Sequence, residues 1–132
     1  MTTKDIPNGV AFTLSGRIVG LERQTGRAVL VERSSDGPWR IDGYTVESSV
    51  LGGPPRHGGE MHPDADELLY LVSGRIRVRL ELEDGNREAE VRAGQALAIP
   101  KGTWHQIIVD EPGQLINVTP GPGGLNRPLP ED

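Results

Sequence analysis

Three histidines occur in the chain, His57, His62 and His105, and two of them sit among residues that can bind a metal. The first window reads Glu60-Met61-His62-Pro63-Asp64-Ala65-Asp66-Glu67. On a strand, residues two apart point to the same side, so Glu60 and His62 can project together into one interior. Pro63 to Asp66 has turn chemistry that reverses the chain, and Glu67 then opens the next strand close by. The second window, Pro100-Lys101-Gly102-Thr103-Trp104-His105, is a turn that delivers a histidine to the start of a strand. Two imidazoles with one or two carboxylates, leaving open positions, form a ligand set for divalent iron, manganese, nickel or zinc used catalytically. There is no cysteine, which excludes disulfides, thiolate metal sites and cysteine nucleophiles.

The elements that must carry these residues read as strands. Arg75 to Leu82 alternates strictly, with Ile76, Val78, Leu80 and Leu82 on one face and Arg75, Arg77, Arg79 and Glu81 on the other. That period of two describes a half-buried strand, and a helix would mix the two sets. Asp84-Gly85-Asn86 turns the chain into a second alternating segment, Arg87 to Arg92. Short apolar runs bounded by Gly or Pro follow at 96–99, 105–109 and 115–118, and others precede at 17–21, 28–31 and 44–50. Gly (18) and Pro (11) recur as punctuation along the chain, the turn density that an all-β sandwich or barrel requires. The segment 64–73 has a capping-box start, Asp64-x-x-Glu67, yet its apolar residues Leu68 to Val72 are continuous rather than periodic. A strand buried on both faces is therefore expected there. By parity with Glu67 and His105, Leu69, Leu71, Ile107 and Val109 should face inward.

The two windows resemble the paired motifs of the cupins, small jelly-roll β-barrels. The family's first motif runs Gly, five residues, His-x-His, three or four residues, Glu, six residues, Gly. Here Glu60-x-His62, four residues, Glu67, six residues and Gly74 follow it, with Glu60 in the place of the first His and the opening Gly displaced to Gly53 beside Pro54. The second motif, Gly, five residues, Pro-x-Gly, two residues, His, three residues, Asn, matches from Gly94 through Pro100, Gly102 and His105, with Val109 in place of the Asn. Residues 75–93, the hairpin above, lie between the motifs.

The resemblance implies an all-β jelly-roll barrel, one domain over 1–132 with its core at about 40–120 and an irregular tail at 121–132. It gives the metal-ligand role to His62, Glu67 and His105 by residue, and to Glu60 by position only. A second carboxylate would make the site harder, favouring Fe(II) or Mn(II), with Ni(II) or Zn(II) as the alternatives. If Glu60 is no ligand, it is a pocket acid whose catalytic role would be to shuttle a proton. Gly58-Gly59 could let His57 swing in as a third imidazole, although its odd spacing from His62 points it away on a regular strand. Cupins host many activities, so fold alone does not choose among them. The leading expectation is a metal-dependent enzyme acting on a small organic molecule in the barrel. The alternative is a non-catalytic small-molecule or metal-binding protein with a sensory or accessory role. Cupins often cover their edge strands by forming homodimers, and the apolar segment Val10–Leu21 is the expected contributor.

The other conspicuous side chains have plainer readings. Trp104 should face away from His105 and pack, and Trp39 after Asp36-Gly37-Pro38 should anchor a loop. Arg75, Arg77 and Arg79 interleave with acids and predict a solvated face. Asp64 and Asp66 fit turn roles, and Arg56 is either solvated or the partner of a substrate carboxylate. The balance of 14 basic against 19 acidic residues, net −5, argues against nucleic-acid or acidic-membrane binding. No apolar run is long enough to span a membrane, and the N-terminal residues lack a leader's apolar stretch, so a cytoplasmic protein is expected.

Overall fold

A computed structural model describes residues 2–32, 41–121 and 123–131, and Trp39 with the turn before it lies outside them. Among the described residues every regular element is a strand. Four strands precede the first window: β1 (Thr2–Asp5), β2 (Ile18–Glu22), β3 (Ala28–Glu32) and β4 (Gly43–Leu51). The motif region supplies β5 (Gly59–Met61), β6 (Glu67–Leu71), β7 (Arg75–Leu82), β8 (Gly85–Arg92), β9 (Ala96–Ile99) and β10 (Trp104–Glu111). Then come β11 (Gly113–Gly121) and β12 (Leu125–Arg127).

They form two antiparallel sheets, one ordered β1-β3-β2-β4-β11-β6-β9 and the other β12-β5-β10-β7-β8. The expected hairpin is present, with Ile76 opposite Val91 and Val78 opposite Ala89. Its apolar face enters a core of Leu69, Leu71, Ile76, Val78, Leu80, Val91, Ile99 and Leu115, with Ile107 and Val109 packed against it. The inward assignments of Leu69, Leu71, Ile107 and Val109 therefore hold. On the outer face Arg77 makes paired bonds to Asp110 and reaches Glu88, which Arg79 also contacts, so the arginine row is a solvated ladder of ion pairs. Gly74 needs its φ of +88° to turn into this hairpin. A Cβ there would stand 2.6 Å from the Glu111 carbonyl oxygen.

Three expectations need correction. The run 68–72 is a strand as far as Leu71 but is buried on one face only. Leu69 and Leu71 are fully buried, whereas Leu68, Tyr70 and Val72 are more than 40% exposed on the outside of the larger sheet. The core does not begin at residue 40, because β2 and β3 extend the sheet past β4 and bury Ile18, Val19, Val29 and Val31. The tail is not wholly irregular either. Its Leu125–Arg127 pairs with Gly59–Met61, covering the edge that β5 would otherwise expose.

Candidate metal centre

The smaller sheet places the two windows face to face. On adjacent strands β5 and β10, Glu60 and His105 are directly opposite each other. His62 follows one residue beyond β5, and Glu67 opens β6 in the facing sheet. Two bonds lock the windows together. The Gly102 N–H donates to the His62 carbonyl at 2.8 Å, and the Lys101 N–H donates to Asp66 Oδ1 at 2.8 Å. Asp66 thus has the turn role expected of it, and it spans from one motif to the other.

His62, Glu67 and His105 converge, with one ligand atom from each lying within 4.8 Å of the others, and all three are buried. His62 Nε2 is 3.2 Å from Glu67 Oε2, and His105 Nε2 is 3.1 Å from Glu67 Oε1. His105 Nδ1 lies 3.1 Å from the Thr103 carbonyl oxygen. A carbonyl only accepts, so Nδ1 carries a proton, and Nε2 is the nitrogen that holds either a second proton or a metal ion beside Glu67. Among the described residues, four buried side-chain polar atoms have no hydrogen-bond partner: both ring nitrogens of His62, Glu67 Oε1 and His105 Nε2. Buried polar groups left unsatisfied are costly, and these belong to three side chains that converge on one point. A divalent cation would satisfy lone pairs that cannot satisfy each other. The donor set fits it.

The electrostatics agree. Burial pushes the Glu67 carboxyl up, but His105 and then His62 outweigh it and hold the group at about 2. For His105 burial favours the neutral ring, yet Glu67, the Thr103 carbonyl and Glu60 together raise its pKa. The site is built for a positive charge between imidazole and carboxylate, whether proton or metal.

Glu60 stands at the rim of this cluster. Its Oε1 is 3.9 Å from His105 Nε2 and 4.0 Å from His57 Nε2, with the side chain 29% exposed. His57 does not swing into the cluster. Its Nδ1 accepts the Gly59 N–H at 3.1 Å, its carbonyl accepts from Gln106 Nε2, and its other nitrogen meets Glu60 from the outside. His57 also lines a cavity of about 290 Å³ with Ser49, Leu51, Arg56, Ile107 and Val109, beneath the loop 52–57. Arg56 is exposed at its edge.

Two features escaped the sequence. The Thr119 hydroxyl bonds Glu67 at 3.0 Å, and alternation from Leu115 through Asn117 would have put Thr119 on the inner face. Just before the strand β12, Gly124 lies against the His62 ring, where a Cβ would stand 3.2 Å from Cε1. Arg127 clasps this strand in place, with its guanidinium 3.9 Å from the Trp104 ring centre and 2.7 Å from Glu81 Oε2. Trp104 therefore packs on the side opposite His105, as expected.

A family profile described as "Cupin domain" matches residues 48–119, more than half of the chain. A Bacillus subtilis protein named "Uncharacterized protein YrkC" is 29% identical over 72 residues, 53% of this chain and 39% of that protein. Among solved structures, a variant of Bacillus subtilis oxalate decarboxylase superposes with a TM-score of 0.55 at 18% identity, over 63% of this chain and 23% of that one. Another structure of that enzyme, from work on its Mn(II) centres, gives 0.54 at 19% identity with the same coverage. At such identities the likeness is one of fold. The chain spans about two-fifths of YrkC and under a quarter of the decarboxylase.

Proposed function

The chain belongs to the cupin family, and from that premise we propose that His62, Glu67 and His105 hold a divalent metal ion where a small organic molecule binds in the barrel. The observation that carries this reading is the convergence of buried donors without partners, His62 Nε2, Glu67 Oε1 and His105 Nε2. Two imidazoles and a carboxylate with open positions suit Fe(II) or Mn(II), and accommodate Ni(II) or Zn(II). The Mn(II) centres of the oxalate decarboxylase relative support manganese. When bound, such an ion supplies Lewis-acid or redox chemistry to substrate oxygens.

The chain's own residues do the rest. Thr103 fixes the His105 tautomer so that Nε2 is a donor of electrons, not of a proton. Glu60, partly exposed and outside the tight cluster, holds or moves a proton at Oε1 between the cluster and His57. Leu51, Ile107 and Val109 give the cavity that His57 lines an apolar wall against which a small organic molecule would pack. The activity is a metal-dependent conversion of a small organic molecule.

Assembly as a homodimer is part of this reading. Leu68, Tyr70 and Val72 leave an apolar strip on the outer face of the larger sheet, and a second copy would bury it.

The decisive experiment is elemental analysis of protein purified without chelators or a nickel column, beside His105→Ala. Wild type should carry one transition metal per chain and the variant none, with both folded by circular dichroism. Full metal retention in His105→Ala would overturn the assignment. Oxygen uptake and product analysis on a compound panel then test turnover.

A further inference from the structure

We propose that Thr119 is the positioning residue of the metal centre, an inference that rests on the metal-binding reading above. Its hydroxyl holds one oxygen of Glu67 so that the other is presented to the cation. Thr119 lies on β11 one step past Val118, which pairs with Leu68, and so stands beside Glu67 across the sheet. Its Oγ1 is 3.0 Å from Glu67 Oε2. A carboxylate that binds a cation has no proton to give, so in this bond the Thr119 hydroxyl donates and Oε2 accepts.

The consequence is an asymmetry in a group that is otherwise two-fold. The terminal torsion of a glutamate is broad, and either oxygen can lead. Here Oε2 accepts the Thr119 hydrogen bond and also lies 3.2 Å from His62 Nε2, while Oε1 is buried without a hydrogen-bond partner and faces His105 Nε2 at 3.1 Å. The Thr119 bond occupies a lone pair of Oε2 and so leaves Oε1 as the leading oxygen toward the cation. The hydroxyl is itself well anchored. Thr119 is β-branched and stiff at χ1, and the Thr45 hydroxyl, on the opposite strand, donates to the Thr119 carbonyl at 3.4 Å.

His105 is oriented by the Thr103 carbonyl. Thr119 does the same service for Glu67, so two of the three ligands have a dedicated orienting group. Such outer partners commonly govern metal affinity by about 10–100-fold. A hydroxyl that merely filled space would have no such effect, and Val in its place would fill the same space.

The test compares wild type, Thr119→Val and Thr119→Ser, each loaded with Mn(II). Affinity is read by competition with a chromophoric chelator, and ligand geometry by the Mn(II) electron paramagnetic resonance fine structure. Thr119→Val should weaken binding by about 10–100-fold and alter the fine structure. Thr119→Ser, which keeps the hydroxyl and loses the methyl, should return both to near the wild-type state. Equal affinity and spectrum in Thr119→Val would overturn the inference while leaving the metal centre standing. So would a Thr119→Ser as weak as Thr119→Val, since packing would then be the cause. A wild type that takes up no Mn(II) would overturn the metal reading and this inference with it.

Discussion

In metal-free protein, Glu67 and His105 form a buried ion pair, and stability should peak in mildly acidic solution. The Glu67 carboxyl falls from 4.5 to about 2, against a burial effect of opposite sign. Each pH unit is about 1.4 kcal/mol, so the ionised carboxylate is worth about 3 kcal/mol to the folded state. An acid with a lowered pKa contributes fully above its unfolded value of 4.5 and loses that contribution as pH falls toward about 2. His105 is raised above 6.5, so its contribution is full below 6.5 and disappears as pH rises through the higher folded value. The two shifts are one attraction seen from either side and are not added. Metal-free wild type should therefore exceed Glu67→Gln in stability by the most between 4.5 and 6.5, and by less on either side. Urea unfolding at a series of pH values, both proteins dialysed against a chelator, measures that difference directly. Mn(II) should abolish the alkaline decline in wild type only, because the cation then takes the place of the proton on His105. A wild-type advantage that is flat across pH, or that grows above neutrality without metal, would refute the pairing.

Two further outcomes follow from the geometry. Glu60→Gln should keep its metal and lose turnover, measured by elemental analysis and product formation, and loss of the metal would instead make Glu60 a fourth ligand. Tyr70→Lys should convert a dimer to a monomer in sedimentation at micromolar concentration, and a wild type that is already monomeric would remove the homodimer from the proposal.

Much of the centre could be read from the sequence because its parts lie in two short windows whose spacing encodes geometry. His62 comes just before a turn and Glu67 and His105 just after one, and the glycine or proline of each turn fixes where the strand stops or restarts, so residue count sets which side chains face the interior. What could not be read involves partners far away in sequence. Thr119 is 52 residues from Glu67, and only the β11–β6 ladder brings them together. The β12 strap was unreadable for the same reason. Three residues, Leu125–Arg127, are too short for a periodic signal, and they are held by Trp104 and Glu81 rather than by their own pattern.

A continuous apolar run predicts burial on both faces, yet of the run 68–72 this chain buries only Leu69 and Leu71 and leaves Leu68, Tyr70 and Val72 outside. Apolar residues at every position of a strand still need a reason, since alternation would keep the same core with a more soluble outside. In one chain the reason is missing. A second copy against the outer face would supply it, and the rule that reads a continuous run as a doubly covered strand would then hold for the assembly although it fails for the protomer. The same face carries the back of Glu67's strand, so covering it would stiffen β6 behind the one carboxylate that touches both histidines.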